Sequence, residues 1–152
     1  MNSIFEEHFG LRLVREGFTR TDDRKWIRRR TNEIADLFQI QAMKGASYSP
    51  VWGFSLNYVP HISGESLRSH GTDKSARLDY RYDPLDTDYG SKAKYEAWFI
   101  SQLHGVEYAT QSAKRSAGKS IPLAFTLFSQ VNSVSDLSQL YAKSLQAYRS
   151  RT

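Results

Sequence analysis

The reading of this chain turns on Ile34-Ala-Asp-Leu-Phe-Gln-Ile-Gln-Ala-Met43, then Lys44-Gly-Ala-Ser-Tyr-Ser-Pro50, then Val51-Trp-Gly-Phe-Ser-Leu-Asn-Tyr-Val-Pro60. With a period of two, the last segment puts Trp52, Phe54, Leu56 and Tyr58 on one face and Val51, Gly53, Ser55 and Asn57 on the other. That is how a half-buried strand is written. The first segment repeats the pattern, with Ile34, Phe38, Ile40 and Ala42 opposite Leu37, Gln39, Gln41 and Met43. Gly45, Ser47, Ser49 and Pro50 are turn formers, so the spacing predicts a β-hairpin with a loop of about seven residues at the centre of a sheet.

Upstream, Ser3 and Glu6 have capping-box spacing, and Ile4, Phe5, His8, Phe9, Leu11 and Leu13 form an apolar stripe. An amphipathic helix from Asn2 to Glu16, ended by Gly17, follows. Phe18 to Thr21 and Lys25 to Thr31 read as two strands around an Asp22-Asp23 turn, which makes an antiparallel meander with the hairpin.

Downstream, His61 to Ala76 is polar and rich in Gly and Ser, the composition of a long loop, with a turn of helix expected near Glu65 to Arg68. Arg77 to Tyr82 alternates Leu78, Tyr80 and Tyr82 with Arg77, Asp79 and Arg81, a further strand. Ser91 is placed to cap a helix carrying Tyr95, Trp98, Phe99, Leu103 and Val106, with fraying expected over Lys114 to Ser120. Pro122 suits the first turn of a short helix bearing Leu123, Phe125, Leu127 and Phe128. Ser133 with Asp136 opens a last helix through Leu137, Leu140, Tyr141, Leu145 and Tyr148. This order predicts a single α+β domain over residues 1–152: an antiparallel sheet of four to five strands with N-terminal and C-terminal helices packed on one face.

Composition narrows the classes. A chain of 152 residues buries roughly 70% of its unfolded surface, enough for one substantial core. An apolar content of 39% with 13% aromatic residues makes ring packing central to that core. The absence of cysteine excludes disulfides, thiolate zinc sites, iron–sulfur clusters and cysteine nucleophiles. The N-terminal residues lack the basic and unbroken apolar regions of a secretory signal, and no apolar run approaches the ~18 residues of a membrane span, so a cytoplasmic protein without a membrane partner is expected. A charge of +5, from 21 Lys and Arg against 16 Asp and Glu, suits either nucleic-acid binding or simple solubility.

Five segments carry a likeness to known proteins: Gly17-Phe-Thr-Arg20, Trp26-Ile-Arg28, Trp52-Gly-Phe-Ser-Leu-Asn-Tyr-Val-Pro60, Ile121-Pro-Leu123 and Val131-Asn-Ser-Val-Ser-Asp-Leu137. In these the chain resembles bacterial proteins of domain-of-unknown-function family 4304. The resemblance implies an α+β fold and no established catalysis.

Motifs for chemistry are sparse. Ala113 to Ser120 satisfies a loosened phosphate-loop spacing that ends in Gly-Lys-Ser, but a helical pattern precedes it and Pro122 follows, so a solvated basic helix end is expected. Asp83, Asp86 and Asp88 before Gly90 suggest a hard-cation loop, yet position 97 is Ala where an EF-type loop needs a bidentate Glu, and caps and turns explain these aspartates. His8, His61, His70 and His104 have no ligand spacing, His8 lies on an apolar stripe, and no Gly-x-Ser-x-Gly elbow occurs. No catalytic residue, cofactor or metal is assigned.

The most suggestive cluster is Arg24, Lys25, Arg28, Arg29 and Arg30 around Trp26. On a strand, Trp26, Arg28 and Arg30 share a face able to stack a base and hold phosphates. The competing reading turns Ile27 into the core and leaves the basic residues covering a solvated face. The leading expectation is therefore a non-enzymatic protein-binding module acting through the exposed sheet face, Gly45 to Pro50 or His61 to Ser75. The alternatives are nucleic-acid binding through Trp26, Arg28 and Arg30, and an enzyme whose site is assembled from distant residues.

Overall fold

The computed structural model describes residues 1–56, 58–60, 67–69, 73–82 and 99–140. Its N-terminal helix, α1, is α-helical over Asn2–Phe5, widens into a π turn over Glu6–Gly10 and closes again over Leu11–Arg15. No side chain caps its start, so the Ser3–Glu6 capping box does not form. Glu6 folds its carboxylate over Gly10, where a Cβ would lie 2.8 Å from it, and reaches Arg20 at 3.4 Å. Gly17, at φ 93°, ends the helix as expected: Phe18 N–H bonds Leu13 O and Gly17 N–H bonds Val14 O, the pair of bonds a left-handed residue makes possible.

Four antiparallel strands follow: β1 (Thr19–Asp22), β2 (Lys25–Arg29), β3 (Ile34–Met43) and β4 (Ser47–Leu56). The β3–β4 loop is three residues rather than seven. Gly45 and Ala46 both take positive φ, 74° and 54°, which reverses the chain at once and lets Ser47 to Pro50 pair with Met43 to Ile40. Pro50 is tolerated in mid-strand because of phase. Ile40 N–H turns toward β2 and bonds Arg24 O, so its partner Pro50 directs its missing N–H away from β3.

On the outer side of β4, two short strands share one position. β8 (Ile100–Ser101) pairs with Tyr48 and Ser47, and β7 (Tyr80–Tyr82) pairs with Trp52 to Phe54. Pro50 falls between the two. The sheet is thus six-stranded and antiparallel, with N-terminal and C-terminal helices, an α+β architecture. A separate two-stranded ribbon joins β5 (Tyr58–Pro60) to β6 (Leu67–Ser69), so residues 67 and 68, expected near a turn of helix, are extended.

Even-numbered residues of β2 to β4 face the helices. Trp26, Ile34, Phe38, Ile40, Trp52 and Phe54 join Phe5, Phe9, Leu13 and Phe18 in the main core. Trp52 stacks between Phe38 and Tyr82, with ring centroids 5.9 and 5.0 Å away. The opposite face is not bare: Ile27, Ala35 and Leu37 are covered by Ala76 and Leu78. Leu78 and Tyr80, expected on one side of a strand, divide between the two cores. The chain steps over at Asp79, which donates its N–H to Phe54 O and accepts Leu56 N–H on its carboxylate.

Helix α2 (Val106–Ser129) replaces the two helices expected in this region. Phe99 precedes it in extended chain, Leu103 and Val106 are exposed, and Ser91 to Trp98 lie outside the described residues. Pro122 sits inside α2 rather than opening a helix. Its ring would press on the carbonyl of residue 118, which is Gly118, and both residues are on the exposed side. The buried face is mostly small, with Ala109, Ser112, Ala113, Ser116, Ala117, Ser120 and Ala124 beside the larger Ile121 and Phe128, and along the small residues α2 lies close over β4. Ser133 Oγ then accepts Asp136 N–H, and a final helix, α3, covers 134–140 as the Ser133–Asp136 spacing implies.

Gly53 is the position where packing leaves no choice, because a Cβ there would come within 1.9 Å of Tyr80 O. Gly53→Ala is expected to destabilise the fold by about 1–3 kcal/mol or more through overpacking. Urea unfolding measures the loss, and faster amide exchange at Tyr80 to Tyr82 locates it at the β4–β7 seam.

Candidate functional site at the end of the central hairpin

The long hairpin overruns its neighbours. The last β2–β3 pair is Lys25 with Gln39, followed by the Ile40–Arg24 backbone bond, whereas β3 continues to Met43. Ala42, expected on the face of Ile34, Phe38 and Ile40, is exposed, and β2 stops short of it. Two concavities flank this overhang. A notch of about 350 Å³ is lined by Asn2, Asp22, Asp23, Arg24, Lys25, Gln39, Ile40 and Tyr48. A more open cleft of about 700 Å³ is lined, among the described residues, by Gln41, Ala42, Met43, Lys44 and Phe99.

The hairpin tip is tied to the chain entering α2. Gln102 N–H bonds Ala46 O, and Tyr48 donates its hydroxyl to Gln102 Oε1 at 3.1 Å. Immediately beyond, Leu103, Val106 and Tyr108 are 66%, 76% and 44% exposed around Gly105. Leu103 lies just before α2 and Val106 and Tyr108 on its first turn, three large exposed side chains within six residues. His104 packs edge-on against Tyr108 at 5.0 Å.

Charges in the notch are unevenly engaged. Asp22 accepts Asp23 N–H, and Asp23 is bridged to Arg20 at 2.7 Å. Lys25 donates to the carbonyls of Lys74 and Ala76, and its burial pushes its pKa down despite nearby Asp22. Arg24 lies over the Tyr48 ring at 5.5 Å.

Trp26, Arg28 and Arg30 do share a face, but it is the face beneath the helices. Trp26 is fully buried, and Ile27 points into the second core instead. Arg28 donates through Nε to Asp36 Oδ2 at 2.9 Å and through Nη1 to Glu16 O, with its guanidinium 4.7 Å from the Phe18 ring. Arg30 reaches Asp36 Oδ2 at 3.1 Å, Phe128 O, Val131 O and Asn132 Oδ1. Both guanidiniums are thus spent on one buried carboxylate, with Arg28 also on Glu16 O at the end of α1 and Arg30 on the carbonyls at the end of α2.

Asp36 is the residue that periodicity alone passes over. It stands at an inward position between Ile34 and Phe38, fully buried, directly across from Arg28. The available signal was an acid in an apolar phase with two arginines at matching phase on the preceding strand. Burial pushes its carboxyl above the ordinary range, and the two guanidiniums pull against that rise.

Other sequence candidates are dispersed. Ala113 to Ser120 lies within α2, with Ala113, Ser116, Ala117 and Ser120 buried, so its backbone N–H groups serve the helix and not a phosphate. Asp83, Asp86, Asp88, His61 and His70, and most of the His61 to Ser75 stretch, lie outside the described residues. No cluster of His, Asp and Glu able to hold a metal occurs among the described residues, and no helix there is long and apolar enough to cross a membrane. No family model, curated protein or solved structure matches the chain.

The Asp36 clamp makes a pH-dependent forecast. Arg30→Met keeps the side-chain stem and removes the guanidinium, which is expected to cost about 3 kcal/mol at neutral pH by leaving a buried carboxylate short of a partner. Asp36 already has a folded-state pKa above its unfolded one, and losing Arg30 lifts it further. Stability tied to this group is therefore gained as pH falls through the folded value and lost as pH rises. The gap between wild type and variant, read by urea unfolding at pH 7 and pH 5, is expected to shrink in acid.

Proposed function

We propose that this protein is a non-enzymatic binding module that docks another protein at the end of the β3–β4 hairpin. The observation that carries the reading is the exposed apolar stretch, Leu103, Val106 and Tyr108, held against the hairpin tip by Gln102. Ala46, within the stretch expected to bind a partner, is the hairpin residue whose carbonyl Gln102 bonds.

The competing readings have less behind them. A nucleic-acid surface on β2 would need Trp26 free to stack and the arginines free to meet phosphate, whereas that ring is buried and both guanidiniums are engaged. An enzyme would need a titratable group free to act in a cavity; Lys25 lines the notch with a lowered pKa, but its ammonium is held by the carbonyls of Lys74 and Ala76. The one carboxyl whose pKa is displaced among the described residues, Asp36, faces arginines inside the fold.

The test is a paired capture. Leu103→Asp with Val106→Asp changes only exposed positions and is expected to leave the urea midpoint within about 0.5 kcal/mol of wild type. A protein recovered stoichiometrically with the wild type from native lysate, and lost with the double variant, bears the proposal out. Equal recovery with both, or recovery with neither, overturns it.

A further inference from the structure

Backbone phase at the overhang identifies a more specific mode of attachment. In an antiparallel ladder, alternate residues turn both backbone groups to the same side. Ile40 turns its N–H to β2, so Ala42, two residues on, turns its N–H and C=O to that side as well, away from β4. At that point β2 has already left the sheet through the Asp22–Lys25 turn. Among the described residues nothing pairs with these groups, and Ala42 is exposed.

Sheet edges in natural proteins are usually blunted by charge, proline, bulges or cover. Two other edges among the described residues follow that rule. Strand β1 carries Arg20 and Asp22 and breaks register between them, and the outer side of β4 is covered by β7 and β8. Ile40-Gln-Ala-Met43 has no charge and no proline, and the β3–β4 pairing runs through it without a register shift. Among the described residues it is a short edge with no paired strand.

The geometry points to strand addition at this edge: an extended segment of a partner protein continues the line of β2, pairing its backbone with Ala42. This rests on the protein-docking reading above and supplies its chemistry. Cations stand at both ends of the edge. Arg24 lies opposite Ile40, and Lys44 follows Met43, about 13 Å further along at the rise of a strand. Neither has a carboxylate partner among the described residues, while Asp22 and Asp23 in the same notch are engaged with Asp23 N–H and Arg20. Met43 lines the open cleft beside this edge, and Phe99, next to β8, lines it from across β4. The segment that fits is extended, with acidic residues near its two ends and an apolar side chain between, held by main-chain bonds and selected by alternate side chains.

The probe is a blocked hexapeptide, Glu-Val-Thr-Val-Thr-Glu, with Lys-Val-Thr-Val-Thr-Lys as its charge-reversed control, titrated into the full chain by NMR. Selective binding of the acidic probe with slowed exchange of the Ala42 amide is expected, weakened by about tenfold in Ala42→Pro, which removes the outward N–H but no β3–β4 bond. Arg24→Glu is expected to reverse the preference toward the lysine probe. Should Ala42→Pro fail to fold, the Ala42 amide in wild type and the Arg24→Glu reversal decide the matter without it. Binding with Ala42 unprotected, equal affinity for both probes, or no binding at millimolar peptide overturns the inference. A partner lost by Leu103→Asp with Val106→Asp yet kept by a folded Ala42→Pro also overturns it, while leaving the docking reading standing.

Discussion

The unbroken ten-residue pairing of β3 with β4 is the constraint on which the molecule depends. Once Ile34 sits opposite Leu56 and Met43 opposite Ser47, the face of every other residue is set, because a slip of one position would turn the aromatic side outward. Trp52, Phe54, Phe38 and Ile40 then lie under α1 and α2, and small residues along α2 allow it to approach β4. The same pairing places Pro50 where its missing N–H interrupts no β3–β4 bond, while the close approach of Tyr80 O from β7 makes glycine necessary at residue 53. Its length also creates the overhang: a hairpin longer than its neighbours leaves backbone groups beyond the end of β2.

The buried acid at the other end of β3 does a different job. Asp36 holds Arg28 and Arg30 on one oxygen, and through Arg30 the sheet is tied to the carbonyls at the end of α2 and to Asn132 before α3. Replacing such a cluster with apolar residues often costs little stability, whereas removing one partner costs much. What it contributes here is registration, since a planar guanidinium meeting four acceptors fixes where α2 ends relative to β2. Arg28 and Arg30 are thereby accounted for without a ligand, whereas at the hairpin tip apolar side chains and backbone groups are left open among the described residues.

Much of this was legible in the residue pattern, and the failures have identifiable physical sources. Alternation over Ile34 to Leu56 found both central strands and the inward face, and Gly17, Asp22-Asp23 and Ser133 with Asp136 marked turns and ends where they occur. The hairpin loop was overestimated because Ser47, Ser49 and Pro50 are turn formers by type, while their pairing with β3 decides their conformation. Pro122 was read as a helix start because local rules do not see that α2 is held along its whole length by packing. The site residues Trp26, Arg28 and Arg30 were correctly put on one face, but which face was buried depended on Asp36, a partner on another strand.

By itself, then, the sequence determined the α+β class, the central hairpin and the phase of its faces, because those follow from contacts between residues close along the chain and from a strand's period of two. Only the tertiary structure decided that the arginines turn inward, that two short segments share one edge of β4, and that β3 outruns β2. Each of these depends on where separate elements stop relative to one another, which is set by packing across the fold and leaves no mark on any single stretch of residues.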